Sequence, residues 1–185
     1  MEHPSEPLTY NNLNDMKKIN IIVTILIFLL LAAVESCKKE PKIGGTAVQM
    51  LAGEWWVKID NGSDPTGDFG PGYYNFSTYN TAANIPDSMW VDDDNNAKSF
   101  WDIKGRVHTD VSNLSFSGNN IENQDYNSTF TITNGKVILH SAKASGTKDV
   151  VDSISFDITF SDDPTPGTVH KVGGYKRTGF SQDDH

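Results

Sequence analysis

From Ser153 to Phe160 the chain alternates with period two: Ile154, Phe156, Ile158 and Phe160 are apolar, and Ser153, Ser155, Asp157 and Thr159 between them are polar. Successive side chains of a strand point to opposite faces, so this run predicts a half-buried antiparallel strand. Shorter stretches of the same kind lie at Trp55-Val57-Ile59, at Trp101-Ile103 with Val107, at Leu114-Phe116, at Phe130-Ile132 and at Val137-Leu139. Asn134-Gly135, between two β-prone runs, predicts a two-residue hairpin, because a type I′ turn needs positive φ at both central residues. Asp92 to Asn96, Gly118-Asn119-Asn120, Ala144 to Lys148 and Asp162 to Gly167 read as loops. Thr46 to Leu51 is the one candidate helix, about a single turn long. The pattern predicts about nine strands, at 52–60, 72–79, 88–92, 98–108, 113–117, 127–133, 136–142, 151–161 and 169–179. Short strands separated by turn signals imply an all-β sandwich or barrel, and no fixed long repeat points to a propeller or solenoid.

The N-terminal pattern is different. Lys17 and Lys18 precede an apolar run from Ile19 to Val34 broken only by Asn20 and Thr24, and Ser36-Cys37 follows. A positive region, a short apolar region and a small residue are the order of a secretory signal; the run is short for a membrane span, which takes roughly 20 residues. Val34-Glu35-Ser36-Cys37 resembles the bacterial lipobox, in which the cysteine is lipidated and becomes the mature N-terminus, although Glu35 departs from the small residue usual there. An uncleaved signal anchor or an inert thiol are the alternatives. The expected organisation is an upstream extension and signal peptide over 1–36, a lipidated Cys37 with a polar leash over 37–47, a β-barrel domain over 48–181 and a tail over 182–185. More than one acyl chain gives stable anchoring, so a lipidated Cys37 would tether the domain to a membrane of the cell envelope, on the periplasmic or surface face.

Leu51-Ala52-Gly53-Glu54-Trp55 opens the first strand directly after the helical turn, and Arg177 lies at the end of the last. This resembles the calycin pattern, a Gly-x-Trp on strand one whose indole packs under a basic side chain from the final strand. The resemblance implies an antiparallel lipocalin-like barrel of about eight to ten strands, with Gly53, Trp55 and Arg177 in structural roles. Further, Ala52-Gly53-Glu54-Trp55-Trp56, Thr78-Tyr79-Asn80-Thr81-Ala82, Asp87-Ser88-Met89-Trp90-Val91-Asp92-Asp93 and Phe100-Trp101-Asp102-Ile103-Lys104 together resemble a family of Bacteroidetes lipoproteins labelled lipid-binding putative hydrolases. That resemblance implies fold and location, and no catalytic residue carries over from it.

Composition narrows the chemistry. The 185 residues carry 15 Lys+Arg against 24 Asp+Glu, a net charge of −9 without any clustered basic run, which argues against a nucleic-acid partner. A single cysteine removes any disulfide framework or multi-cysteine metal site. There is no Gly-x-Ser-x-Gly elbow. His108, His140 and His170, with Ser141 and many aspartates, supply the parts of a hydrolytic triad but no recognisable spacing, and they lack paired zinc-ligand spacing as well. Asp92, Asp94 and Asn96 echo a calcium loop, which then fails at Ala97 and Ile103, where a glycine and a bidentate glutamate are required. No metal or cofactor is expected.

Aromatics are the more informative group. Adjacent Trp55 and Trp56 must face opposite sides of their strand, so with Trp55 inside, Trp56 is either an exposed contact residue or covered. Trp90, Trp101, Phe156 and Ile158 are the candidate ligand-binding residues for a small apolar, lipid-like ligand held in the barrel. Asp87-Ser88-Met89 and Asp152-Ser153-Ile154 resemble Bacteroidetes O-glycosylation triplets. Three functions remain open on the sequence: an envelope lipoprotein that binds a small apolar or amphipathic ligand without catalysis, a lipid or glycan ester hydrolase using one of the histidines, and a structural or adaptor lipoprotein with an apolar patch around Trp56.

Overall fold

The computed structural model describes residues 16–24, 45–60 and 72–185. Cys37, most of the apolar run before it and the leash up to residue 44 lie outside the described residues. The chain divides into two units, Met1–Ile43 and Gly44–His185. In the first, residues 16–24 are helical, and Thr24 Oγ1 donates to the Asn20 carbonyl at 2.7 Å. Among the described residues no helix is long and apolar enough to cross a membrane.

The second unit is a closed antiparallel barrel of eight strands, each paired with its neighbour in sequence and the last with the first. They are β1 (Gly53–Ile59), β2 (Tyr74–Asn80), β3 (Ser88–Asp92), β4 (Lys104–Asp110), β5 (Ser115–Glu122), β6 (Thr129–Lys143), β7 (Val150–Phe160) and β8 (His170–Lys176). Closure removes free strand edges without a partner. Alternation along each strand sends Trp55 and Val57, Phe76, Met89 and Val91, Val107, Ile132, and Ile154, Phe156 and Ile158 inward to a single core. The expected helical turn is present, with the Leu51 amide donating to the Val48 carbonyl at 2.8 Å. Val48 and Leu51 are fully buried in the same core, so the turn plugs one end of the barrel, here called the lower end.

Where expectation and structure differ, bulges are the main reason. The predicted strands 127–133 and 136–142 are one strand, β6, and Asn134-Gly135 is not a hairpin. Thr133 faces Asp157 on β7 while Lys136 faces Ser155, so β6 carries one extra residue there. Asn134 takes a positive φ of 55° and donates from Nδ2 to Asp157 at 2.7 Å, while a Cβ on Gly135 would fall 2.3 Å from the Phe116 carbonyl oxygen of β5. The extra residue switches the inward set from Phe130 and Ile132 to Val137, and it bends the strand as a closing barrel requires. Gly118-Asn119-Asn120, read as a loop, is likewise a bulge inside β5, with Asn120 at φ 51° and the inward set passing from Phe116 to Ile121. The strand expected over 98–108 begins only at Lys104, and Trp101 and Ile103 lie in a loop.

Candidate functional site

The turn at 46–52 and the connections at 81–87, 111–114 and 144–149 lie at the lower end; those at 93–103, 123–128 and 161–169 lie at the upper end. Asp93 organises the upper end. It is fully buried, and its carboxylate accepts from the amides of Phe100 (3.0 Å), Trp101 (2.9 Å) and Ile103 (2.9 Å). Burial pushes its pKa up to about 6, against the pull of the Trp101, Phe100 and Ile103 amides, with the charge of Asp102 adding to the rise. The loop folded around this carboxyl places the Trp101 indole flat on Phe160, with ring centres 4.1 Å apart and planes 2° from parallel. Asp162 fixes the indole by accepting from Nε1 at 3.1 Å and is itself held by the Tyr126 hydroxyl at 2.7 Å. Phe100 stacks on Phe76 at 6.2 Å and meets Tyr74 edge to face. Phe100, Trp101 and Tyr74 are only partly buried, so they form an aromatic rim over the core.

Of the four proposed ligand contacts, Phe156 and Ile158 lie inside the barrel, 2 % and 0 % exposed. Phe156 packs against Phe76 at 4.8 Å and Phe116 at 5.8 Å. Phe76, Met89, Ile132 and Ile158 touch no space that a water molecule could occupy, so the barrel around them is filled by its own side chains. Trp101 stands at the rim. Trp90 points the other way: Met89 and Val91 are its inward neighbours, and its half-buried ring faces outward beside Arg106.

The basic side chain over Trp55 is Lys176, not Arg177. Register pairs Trp55 with Lys176, whose ammonium lies 5.7 Å from the indole centre, and Arg177 follows on the opposite face. Arg177 instead covers Trp56 at 4.7 Å and pairs with Glu54 and Asp184, each at 3.0 Å. Gly53 opens β1, where a Cβ would crowd Lys176 and the Trp55 ring. Trp56 is 4 % exposed, buried with Tyr175 and Ala144 on the outer wall. The last residues, expected as a tail, complete that cover: His185 stacks on Tyr73 at 3.9 Å, and Asp183 accepts from the Gly146 and Thr147 amides and the Thr147 and Thr178 hydroxyls. The apolar patch expected around Trp56 by the adaptor reading is therefore covered.

The histidines are scattered. His108 is exposed on the outer face of β4, and His140 is exposed at a second bulge of β6, its Nδ1 3.9 Å from Asp152. Ser141 bonds the Ile138 carbonyl and Ser153 rather than a histidine. His170 is buried against Asp163 at 2.7 Å, and its other ring nitrogen meets the Asp60 carbonyl at 3.0 Å. That pair staples the 161–169 connection to the end of β1, and among the described residues neither His108 nor His140 bonds a hydroxyl. Of the calcium-like set, Asp94 and Asn96 are turn residues, while Asp92, Asp93 and Asp125 bring carboxylate oxygens within 4.8 Å of one another. Asp92 accepts from Tyr79, Lys104 and the Asp94 amide, so it and Asp93 are occupied by the protein's own donors. Burial acts to raise the Asp92 pKa, but Lys104 and Tyr79 outweigh it and hold it low. Three adjacent aspartates look alike in sequence, and the amides that single out Asp93 arrive from residues 100–103.

A search of curated proteins finds none that matches the chain. The family described as lipid-binding putative hydrolase matches residues 40–181, which covers the whole barrel with the turn that plugs it. On the strength of that match over most of its length, carried by a closed eight-stranded barrel, the chain belongs to the lipid-binding putative hydrolase family.

Proposed function

We propose that the protein is an envelope-anchored lipoprotein that binds a lipid-like ligand without catalysis, and that the ligand lies against the aromatic rim at the upper end of the barrel. The observation that carries this reading is the plane-parallel stack of the partly buried Trp101 on the buried Phe160, with Trp101 held from behind by Asp93 and Asp162. An aromatic surface kept half open and fixed by hydrogen bonds is pre-organised for an apolar chain, since little side-chain entropy is left to lose on binding. Phe156 and Ile158 then serve as the packed floor rather than as walls of a deep cavity. The acidic residue Asp162 at the rim favours an uncharged head group over a carboxylate or phosphate. Anchoring rests on Lys17-Lys18, the apolar run and Ser36-Cys37.

Native mass spectrometry of the protein taken gently from its own host's envelope tests both parts. The expected result is an acylated N-terminal Cys37 and a small apolar molecule released on denaturation. A monoacylglycerol probe should quench tryptophan fluorescence, and Trp101→Ala should weaken its binding about tenfold while leaving the fold intact. An unmodified Cys37 overturns the anchor. A clean protein mass, with probe binding unchanged by Trp101→Ala, overturns the lipid site.

A further inference from the structure

The ladder between β4 and β5 runs from Asp110 and Ser115 to His108 and Ser117, where the register ends; the chains meet again where the Gln124 amide donates to the Lys104 carbonyl at 2.8 Å. The cause is the Asn119-Asn120 bulge. Thr131 of β6 accepts from the Asn120 amide at 2.9 Å and donates to Asn119 Oδ1 at 3.2 Å, which draws β5 toward β6 and away from β4. From inside, Ile121 fills the split against Gly105 and Gly118, where a Cβ would fall 2.5 Å from its methyl groups. Outside, the split is a groove of about 250 Å³, lined by Trp90, Arg106, Asn119, Glu122 and Gln124 over Ile121.

Arg106 faces Trp90 across the β3–β4 ladder, with its guanidinium 5.8 Å from the ring centre. Arg106 and Glu122 line the same groove, yet among the described residues neither side chain makes an ion pair or a hydrogen bond. A charged donor and a charged acceptor thus line the same groove as an indole and the primary amides of Asn119 and Gln124. We infer that this groove binds a neutral pyranose ring. Each sugar hydroxyl both donates and accepts, so it uses Arg106 as donor, Glu122 as acceptor, and Asn119 and Gln124 for the rest. The apolar C–H face of the ring has Trp90 to lie against. Other ligand classes fit worse: an anion meets Glu122, a cation meets Arg106, and an acyl chain strips water from four polar side chains without replacing their hydrogen bonds. The groove lies on the outer wall, so the site does not depend on the reading given for the upper-end rim.

The test is titration of the full chain with methyl β-galactopyranoside, methyl α-mannopyranoside and N-acetylglucosamine at millimolar concentration, following the amide resonances of 118–124 and the Trp90 indole. At least one sugar should shift these signals. Trp90→Ala should weaken that sugar about tenfold while the barrel still folds, and independently Glu122→Gln at an exposed position should weaken it about tenfold with unchanged thermal stability. Vesicles carrying a galactosyl lipid, run beside the free galactoside, distinguish a glycolipid head group from a free sugar, and a response to either supports the site. No shift with any of these probes, a shift produced by inorganic phosphate instead, or sugar binding that both variants leave intact would overturn it.

Discussion

Thr78 shows how much one side chain can decide. Its hydroxyl accepts from Trp55 Nε1 at 2.9 Å and donates to the Leu51 carbonyl at 2.6 Å, linking the first strand to the turn that plugs the lower end. Thr78→Val keeps the shape but strands a buried indole N–H and a buried carbonyl, so it should cost about 2 to 4 kcal/mol, read as a lower urea midpoint at constant slope. The neighbouring pairs Trp55/Trp56 and Lys176/Arg177 carry a similar lesson. Each pair splits between the two faces of the wall, and register alone assigns Lys176 to the inner indole and Arg177 to the outer one.

At the scale of elements, the bulges determine which face each strand presents. Gly135 sits where the β5 backbone passes 2.3 Å from the place a Cβ would take, so Gly135→Ala must push β5 aside or undo the bulge. A loss of about 3 kcal/mol is expected, whereas Gly173→Ala in β8, with nothing within 4 Å of its Cβ site, should change stability by less than about 0.5 kcal/mol; thermal melts of the two variants side by side check both values. The 93–103 connection depends on one carboxyl in the same way. Asp93→Asn turns an amide group toward backbone N–H donors and should loosen that loop, seen as faster amide exchange at Phe100, Trp101 and Ile103.

For the molecule as a whole, these carboxyls shape the dependence of stability on pH. Asp93 titrates near 6 when folded and near 4 when unfolded, so the folded state binds the extra proton between those values. Its contribution is therefore complete below about pH 4 and declines by about 3 kcal/mol as pH rises through 6. Asp183 has the opposite sign: burial raises its pKa, but the Thr178 and Thr147 hydroxyls and the Thr147 and Gly146 amides outweigh it and hold it at about 2, so its contribution is lost as pH falls through that value. Melting temperature against pH should fall between about 4 and 6, and Asp93→Asn should flatten that fall. Much of this barrel was legible in the chain, because a period-two pattern such as 153–160 reports a half-buried strand wherever it pairs, and the turn at 46–51 needs only local bonds. The rest was not, for a physical reason particular to each place. Asn134-Gly135 offers the same positive φ to a hairpin as to a bulge, and only β5 and β7 pairing on either side of β6 decide that the chain continues. Trp90 and Trp101 are equally aromatic in sequence, but strand parity turns one outward while the amides gathered by Asp93 set the other at the rim. The sequence by itself determined an all-β chain with alternating faces and Trp55 and Trp56 on opposite sides of their strand; the tertiary structure alone decided the strand count, the partner of each indole and which aspartate is buried, because each of these depends on register between segments far apart in the chain.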